Sequence, residues 1–279
     1  MENVMRALAA ALVLILSIAT PAAPGAAGDA TQKVSVPLTD PGRPAALKVS
    51  TINGSITVEG YAGREVSIET SGGGSGEEPA VRPRRGAAEM RRIPKRGPGL
   101  SVDEVANVVR GETRNPAPGG DLHIQVPFHT SLQLSAINGG EIRVSGVEGE
   151  IELSHVNGSI AARDVAGSVV AHTTNGNVKV VLRQVVPDKA MAFSTLNGDV
   201  DVTFPADLRA NVHVRSDRGE IHSDFEIAAR GHPGARENRR EGKRHDEVSQ
   251  EMRGAIGGGG PEILFKTFNG DVFIRRPHG

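Results

Sequence analysis

The sequence predicts an all-β protein: a right-handed parallel β-solenoid, or β-helix-like repeat, wound from units of about 18 residues. Three observations predict it. Asn-Gly pairs recur in a constant frame. Apolar and polar residues alternate with period two on both sides of each pair. The composition leaves little besides Val, Ile, Leu and Ala for a core, with seven Phe, one Tyr and no Trp in 279 residues. An antiparallel meander or β-sandwich satisfies the same alternation and is the alternative, because Asn-Gly also forms the two-residue type I′ hairpin turn.

The repeat reads VSTINGSITVEG from Val49, LSAINGGEIRVSG from Leu134, LSHVNGSIAARD from Leu153 and AHTTNGNVKVVL from Ala171. FSTLNGDVDVTF follows from Phe193, then a divergent VRSDRGEIHSDF from Val214 and finally FKTFNGDVFIRR from Phe265. The structural turns are therefore Asn53-Gly54, Asn138-Gly139, Asn157-Gly158, Asn175-Gly176, Asn197-Gly198 and Asn269-Gly270, with Arg218-Gly219 as the variant. Gly140, Gly149, Gly158, Gly167 and Gly176 fall nine apart, so a unit is two strands and two turns. The residue four before each Asn is apolar, and so is the third residue after it, as in Ile56, Ile160, Val178, Val200 and Val272. Ile142 comes one residue late, which predicts a bulge at Gly139-Gly140. Thr51, Ala136, Thr173, Thr195 and Thr267 are small residues on the inward phase, suited to a narrow interior. Stacked Asn side chains would form a buried hydrogen-bonded ladder.

Composition also excludes chemistry. Without Cys there is no disulfide, no Cys-based metal site and no Cys nucleophile. A net charge of −1 gives no global field toward nucleic acid. Arg6, the apolar run Ala7–Ala19 and the small-residue stretch Pro21–Ala30 read as a signal peptide over residues 1–28, although Glu2 keeps an uncleaved anchor open. Thirteen apolar residues are short of the ~20 that span a bilayer. The expected product is exported: periplasmic, cell-surface or extracellular.

The stretch from Asp121 to Leu182 and the closing GAIGGGGPEILFKTFNGDVFIRR from Gly254 resemble the bacterial "putative adhesin" family of β-strand repeats, a domain of unknown function similar to GIN-type head domains. The resemblance covers roughly Lys33 to Arg276. It implies an exported β-solenoid-like domain with an envelope role and carries over no catalytic residue.

Residues 31–276 read as one β-repeat domain with two inserts, 71–120 and 228–260. The first is basic and low in complexity, with Arg82, Arg84, Arg85, Arg91, Arg92, Lys95 and Arg96. These are the candidates for an anionic surface, lipid or polymer. A short helix is expected at 102–110, from a capping box at Ser101 and Glu104 and a Gly111 stop. The second insert is a charged, Gly-rich loop.

For chemistry, the residue after each turn Gly is the best candidate. Asp199, Glu220 and Asp271 would adjoin one another on consecutive units, giving cation ligands or a glycosidase-like pair. Acidic residues beside Gly are also ordinary turn residues. The nine His show no metal signature, and neither a nucleophile elbow nor a phosphate loop occurs. No cofactor, catalytic residue or nucleic-acid partner is expected. The expected function is a non-catalytic envelope module, structural or adhesive, with an unknown envelope protein or polymer as partner. A polysaccharide-acting β-helix enzyme and a periplasmic sensor or accessory protein are the alternatives.

Overall fold

A computed structural model describes residues 32–71, 99–114, 120–229 and 250–277, and these contain strands and turns with no helix. The chain starts with β1 (Gln32–Pro37), β2 (Ala45–Asn53), β3 (Ile56–Tyr61) and β4 (Glu65–Ser71). Next come β5 (Gly99–Val105), β6 (Val108–Arg114), β7 (Asp121–Pro127), β8 (Thr130–Asn138) and β9 (Ile142–Ser145). The middle is β10 (Glu148–Asn157), β11 (Ile160–Asn175), β12 (Val178–Val185), β13 (Met191–Asn197) and β14 (Val200–Thr203). It closes with β15 (Ala210–Ser216), β16 (Ile221–Ser223), β17 (Ala228–Ala229), β18 (Gln250–Ile256), β19 (Glu262–Thr267) and β20 (Val272–Arg275).

Asn-Gly does not fold a strand back on its predecessor. The strand entering each turn pairs with the entering strand of the neighbouring unit, parallel and in register. Asn157 stands opposite both Asn138 and Asn175, and Asn53 opposite Asn138. This entry sheet runs β6, β2, β8, β10, β11, β13, β19, β15, all parallel, with β18 antiparallel at the end. The strands leaving the turns form an exit sheet: β7, β3, β9, β11, β12, β14, β20, β16, also parallel. β4 and then β1 add to it antiparallel beside β7. Sixteen-residue β11 serves both sheets, turning at Asp164 where φ is +53°. Hydrogen bonding is therefore continuous through 20 strands. The sheet is mixed rather than wholly parallel, its antiparallel strands confined to the ends.

The alternation places the core as expected. The residues four before the turn, Val49, Leu134, Leu153, Ala171, Phe193, Phe265 and Val214, form one buried column. Ile56, Ile142, Ile160, Val178, Val200 and Val272 face it from the exit sheet, all fully buried. Ile142 pairs with Ile56 and Ile160 despite its offset, so the extra Gly at 139–140 is absorbed at the turn. Toward the C-terminal end three rings fill the interior: Phe193 and Phe265 stack at 5.5 Å, with Phe204 edge-on to each at 6.1 Å.

Three expectations are corrected. Residues 102–110 are not helical; β5 and β6 form an antiparallel hairpin. Ala106 and Asn107 both have positive φ, 52° and 64°, the signature of a type I′ turn. The Glu104 carboxylate that suggested a capping box instead accepts from Asn107 N–H at 2.8 Å and from Thr39. Asn107, buried, bonds to Asp40 on both its amide atoms. Second, the insert 228–260 is not all loop, since β17 and β18 extend the entry sheet. Residues 230–249 lie outside the described residues.

The third correction concerns the order of the units. They do not stack in the order of the sequence. The last Asn-Gly unit, β19 and β20, slots between the fifth (β13, β14) and the sixth (β15, β16). At the other end the first unit, β2 and β3, is flanked by β6 and β7 outside and by β8 and β9 inside. Both inversions coincide with the inserts, which supply the chain needed to double back. The Gly257–Gly260 run is thereby a tight crossover from β18, outside β15, to β19 on its inner side. A Cβ on Gly260 would lie 2.3 Å from the Arg209 carbonyl oxygen, and Arg209 Nε donates to the Gly257 carbonyl at 3.1 Å.

Register imposes its own demand at the turns. Gly198 has φ +145°, and a Cβ there would lie 2.2 Å from the Gly176 carbonyl oxygen of the neighbouring unit. Backbone cannot yield without breaking the ladder. Gly198→Ala is expected to cost about 3 kcal/mol in chemical denaturation; a loss below about 0.5 kcal/mol would show that the turns are not closely stacked.

Candidate functional site

The Asn-Gly edge is the most regular surface of the molecule, and three columns of polar groups define it. In the first, Asn157 Nδ2 donates to Asn138 Oδ1 at 2.8 Å, Asn175 to Asn157 at 2.9 Å, Asn197 to Asn175 at 2.8 Å and Asn269 to Asn197 at 2.7 Å. Arg218, which replaces Asn in the sixth unit, ends the column by donating to Asn269 Oδ1 at 3.4 Å. The ladder exists, but at the surface rather than buried: Asn138, Asn157, Asn175 and Asn197 are exposed. Side-chain amides chained this way hold adjacent units in register.

The second column lies inside. Thr173 Oγ1 donates to the Gly158 carbonyl, Thr195 to that of Gly176, and Thr267 to that of Gly198, at 2.8–3.0 Å. Ser216 does the same toward Gly270 at 3.1 Å. Each hydroxyl satisfies a turn carbonyl that the parallel ladder leaves over.

The third column contains the predicted acids. Asp199 Oδ1 accepts the Asp271 backbone N–H at 2.9 Å, and Asp271 Oδ1 accepts that of Glu220 at 2.8 Å. Asn177 Oδ1 serves Asp199 N–H in the same way at 2.9 Å, and Asp121 Oδ1 serves Ser55 at 2.8 Å. Asp199 and Glu220, expected as neighbours, are separated by Asp271 because of the inverted unit order. Glu220 is exposed and its carboxylate lies 3.4 Å from His222. Among the described residues no group of three or more His, Asp or Glu side chains could hold a metal ion.

His155 interrupts the inner hydroxyl column. It stands between Ala136 and Thr173, 1% exposed, and neither ring nitrogen has a hydrogen-bond partner. Burial lowers its pKa below the usual 6.5; the nearby Gly140 carbonyl opposes that shift without reaching hydrogen-bond geometry. It sits beneath the turn that carries the extra Gly139-Gly140 residue. His172, one position further along the strand phase, is exposed and contacts Ser194 Oγ at 2.9 Å. The two imidazoles thus face opposite sides, as the offset predicts.

Outward side chains differ sharply between the two sheets. The exit sheet carries Lys179–Asp201 at 3.7 Å, Arg275–Asp201 at 2.8 Å and Arg143–Glu141 at 2.5 Å. Of its outward aromatics, Phe273 is stacked by His222 at 5.0 Å and covered by the Arg275 guanidinium at 4.7 Å, and the Tyr61 hydroxyl donates to the Glu65 carbonyl at 2.8 Å. The entry sheet carries instead a row of exposed aliphatic residues directly before the turns: Ile52, Ile137, Val156 and Leu196. Sequence reasoning missed this row. Its signal was present, since the residue before each Asn is Ile, Ile, Val, Thr, Leu and Phe although alternation assigns that position to solvent. Residues 1–28, where a signal peptide is expected, and the basic cluster Arg82, Arg84, Arg85, Arg91, Arg92, Lys95 and Arg96 lie outside the described residues.

A family model described as Toastrack DUF4097 matches residues 106–255, more than half of the chain. Among solved structures the chain is similar to one titled a putative cell adhesion protein from Clostridium sporogenes ATCC 15579, at 9% identity and a TM-score of 0.44, over 88% of this chain and 100% of that one. It is also similar to one titled a putative adhesin from Bacteroides fragilis NCTC 9343, at 11% identity and a TM-score of 0.41, over 90% and 99%. No curated protein matches the sequence.

Two measurements test the columns. Asn157→Ala removes an amide that both donates and accepts and should lower stability by about 1 kcal/mol more than Asn53→Ala; equal losses in thermal unfolding would remove the ladder as a source of stability. For His155 the depressed folded-state pKa means that the unfolded chain binds the proton more readily. Its contribution is complete above pH 6.5 and declines as pH falls below it. His155→Thr, which restores the hydroxyl of the other units, should flatten the fall in stability between about pH 6.5 and 5 relative to the parent. Parallel pH profiles for the two proteins would contradict that assignment.

Proposed function

The chain belongs to the Toastrack DUF4097 family, and from that premise we propose that it is an exported, non-catalytic envelope module acting through structure or adhesion. In this reading its parallel units wind as a right-handed β-solenoid, the handedness that parallel crossovers adopt almost without exception. The compartment is periplasmic, cell-surface or extracellular, reached through the signal peptide at residues 1–28. The ligand is an envelope protein or polymer, and the basic cluster from Arg82 to Arg96 supplies an anionic-surface contact.

One observation carries the non-catalytic reading. The Asp residues that could have formed a hydrolytic pair are spent as acceptors for backbone N–H groups of neighbouring units. A glycosidase also needs a groove with stacking rings beside its acids, and the ring nearest them on the exit sheet, Phe273 on the strand that follows Asp271, already has His222 and Arg275 against it. Polar groups that secure the backbone make a rigid surface and leave recognition to the faces between them.

The test separates structure from chemistry at Asp271. Asp271→Asn retains an acceptor oxygen and should fold within about 0.5 kcal/mol of the parent, whereas Asp271→Ala should lose about 1–2 kcal/mol. Neither variant, nor the parent, should release sugars from a panel of envelope polysaccharides, while a glycan array or envelope pull-down should return a binder. Hydrolysis by the parent that Asp271→Asn abolishes without unfolding would replace this reading with the enzymatic one.

A further inference from the structure

We propose that the outer face of the entry sheet is a self-association surface, occupied by a second copy of this chain in a two-fold dimer. The inference goes beyond the envelope role and does not depend on the identity of any ligand.

The face is unusual for exposed sheet. Ile52, Ile137, Val156 and Leu196 are 47%, 43%, 40% and 46% exposed, and the in-register Asn pairing sets them in one row on β2, β8, β10 and β13, with Thr174 on β11 between Val156 and Leu196 and the half-buried Phe268, under the Arg218 guanidinium at 4.8 Å, at its end. Scattered exposed aliphatics need no explanation, but an aligned run of them does. The next outward row is Ser50, Ser135, Ser154, His172, Ser194 and Lys266, and Val170, also exposed, extends the apolar surface between Glu152 and Ala192. Among the described residues the ion pairs of this sheet lie at its margins: Lys189–Glu150 far from the turns, and Arg215–Asp217, His213–Glu251 and Arg253–Glu251 on β15 and β18. On the exit sheet they occupy the middle. Lys48, Glu152 and Lys266 also point outward from the entry sheet, but behind the aliphatic row, in the third to fifth positions before the turns.

The size and period of the face point to the occupant. Seven strands at ~4.8 Å, each about eight residues at ~3.3 Å, present roughly 750 Å². That is close to the ~800 Å² that each partner contributes to a stable interface. The aliphatic row repeats at the strand spacing, and a second copy brings a row with the same period. Side chains of the two rows can then interleave along their whole length, as facing sheets do at ~10 Å separation. An unrelated partner has no reason to share that period. A two-fold axis along β11 reverses the strand order and makes the contact isologous. It brings Val156 to the second copy's Leu196 and Ile137 to its Phe268, with Thr174 on the axis. No two like-charged Asp, Glu, Lys or Arg positions are then directly opposed.

Sedimentation equilibrium on the purified chain tests this. The parent should dimerise, and the double variant Ile137→Lys, Leu196→Lys should weaken the dimer by at least about tenfold. Both positions are exposed, so the variant's thermal unfolding should match the parent's. Lys179→Glu on the exit sheet should leave association unchanged. Because the chain has no Cys, Thr174→Cys introduces a single thiol at the axis, and a short bis-maleimide, which spans the ~10 Å between facing sheets that a disulfide does not, should cross-link two copies. A parent that stays monomeric to about 100 µM, or a dimer that survives the double Lys variant, would overturn the proposal.

Discussion

The side-chain amide hydrogen bonds that link Asn138, Asn157, Asn175, Asn197 and Asn269 fix a register on which the rest of the structure depends. Once Asn stands over Asn, Gly must stand over Gly, and the turn backbones approach too closely for any side chain between them. The inner hydroxyls then meet the turn carbonyls, and Asn177, Asp199 and Asp271, each directly after its turn Gly, meet a backbone N–H of the neighbouring unit. Each neutral bond is worth only about 1 kcal/mol net. Their value lies in repetition: a slip of one residue would break all three columns at once and turn the apolar phase outward. The repeated Asn-Gly pairs thus read as one constraint applied along the stack.

That constraint explains what was legible in the sequence. Period-two alternation needs only local information, so the buried columns through Leu134 and Ile160 could be assigned residue by residue. The bulge at Gly139-Gly140 could be assigned because it displaced Ile142 by one. The order of the units could not. Nothing near Phe265 states that β19 lies between β13 and β15, because the choice of neighbour is made by strands more than fifty residues away. The Ala106-Asn107 turn failed for the same reason. Ser101, Glu104 and three valines are compatible with a helix, and what selects the hairpin is Asn107 bonding to Asp40, 67 positions earlier. The aliphatic row was visible but was sorted by phase alone, and phase assigned it to water.

The acid row shows how position converts a familiar motif into something else. Asp beside Gly on successive strands has the composition of a hydrolytic or cation site. Stacking turns the same residues into backbone acceptors, much as an N-cap does for a helix, and the carboxylates become part of the frame. His155 makes the complementary case. In a column otherwise filled by Thr, Ser and Ala, an imidazole occupies the space under the one widened turn and gains no partner there. It is the only titratable side chain among the buried residues described.

Interleaving at both ends has a consequence for how the molecule comes into being. A simple repeat array can grow by adding each unit to the last, and can fray from either end in the same way. Here the final unit, β19 and β20, belongs inside the stack, so the place it fills must stay open until it has been made. Strands β15 and β16 cannot reach their permanent neighbours while the chain is still emerging. The completed stack is closed by segments drawn from distant parts of the sequence, and at the end where β19 and β20 are buried the outer strands are β16, β17 and β18 rather than the last ones made. Such an arrangement trades early, stepwise assembly for slow release: the stack stays unlocked until its last strands arrive.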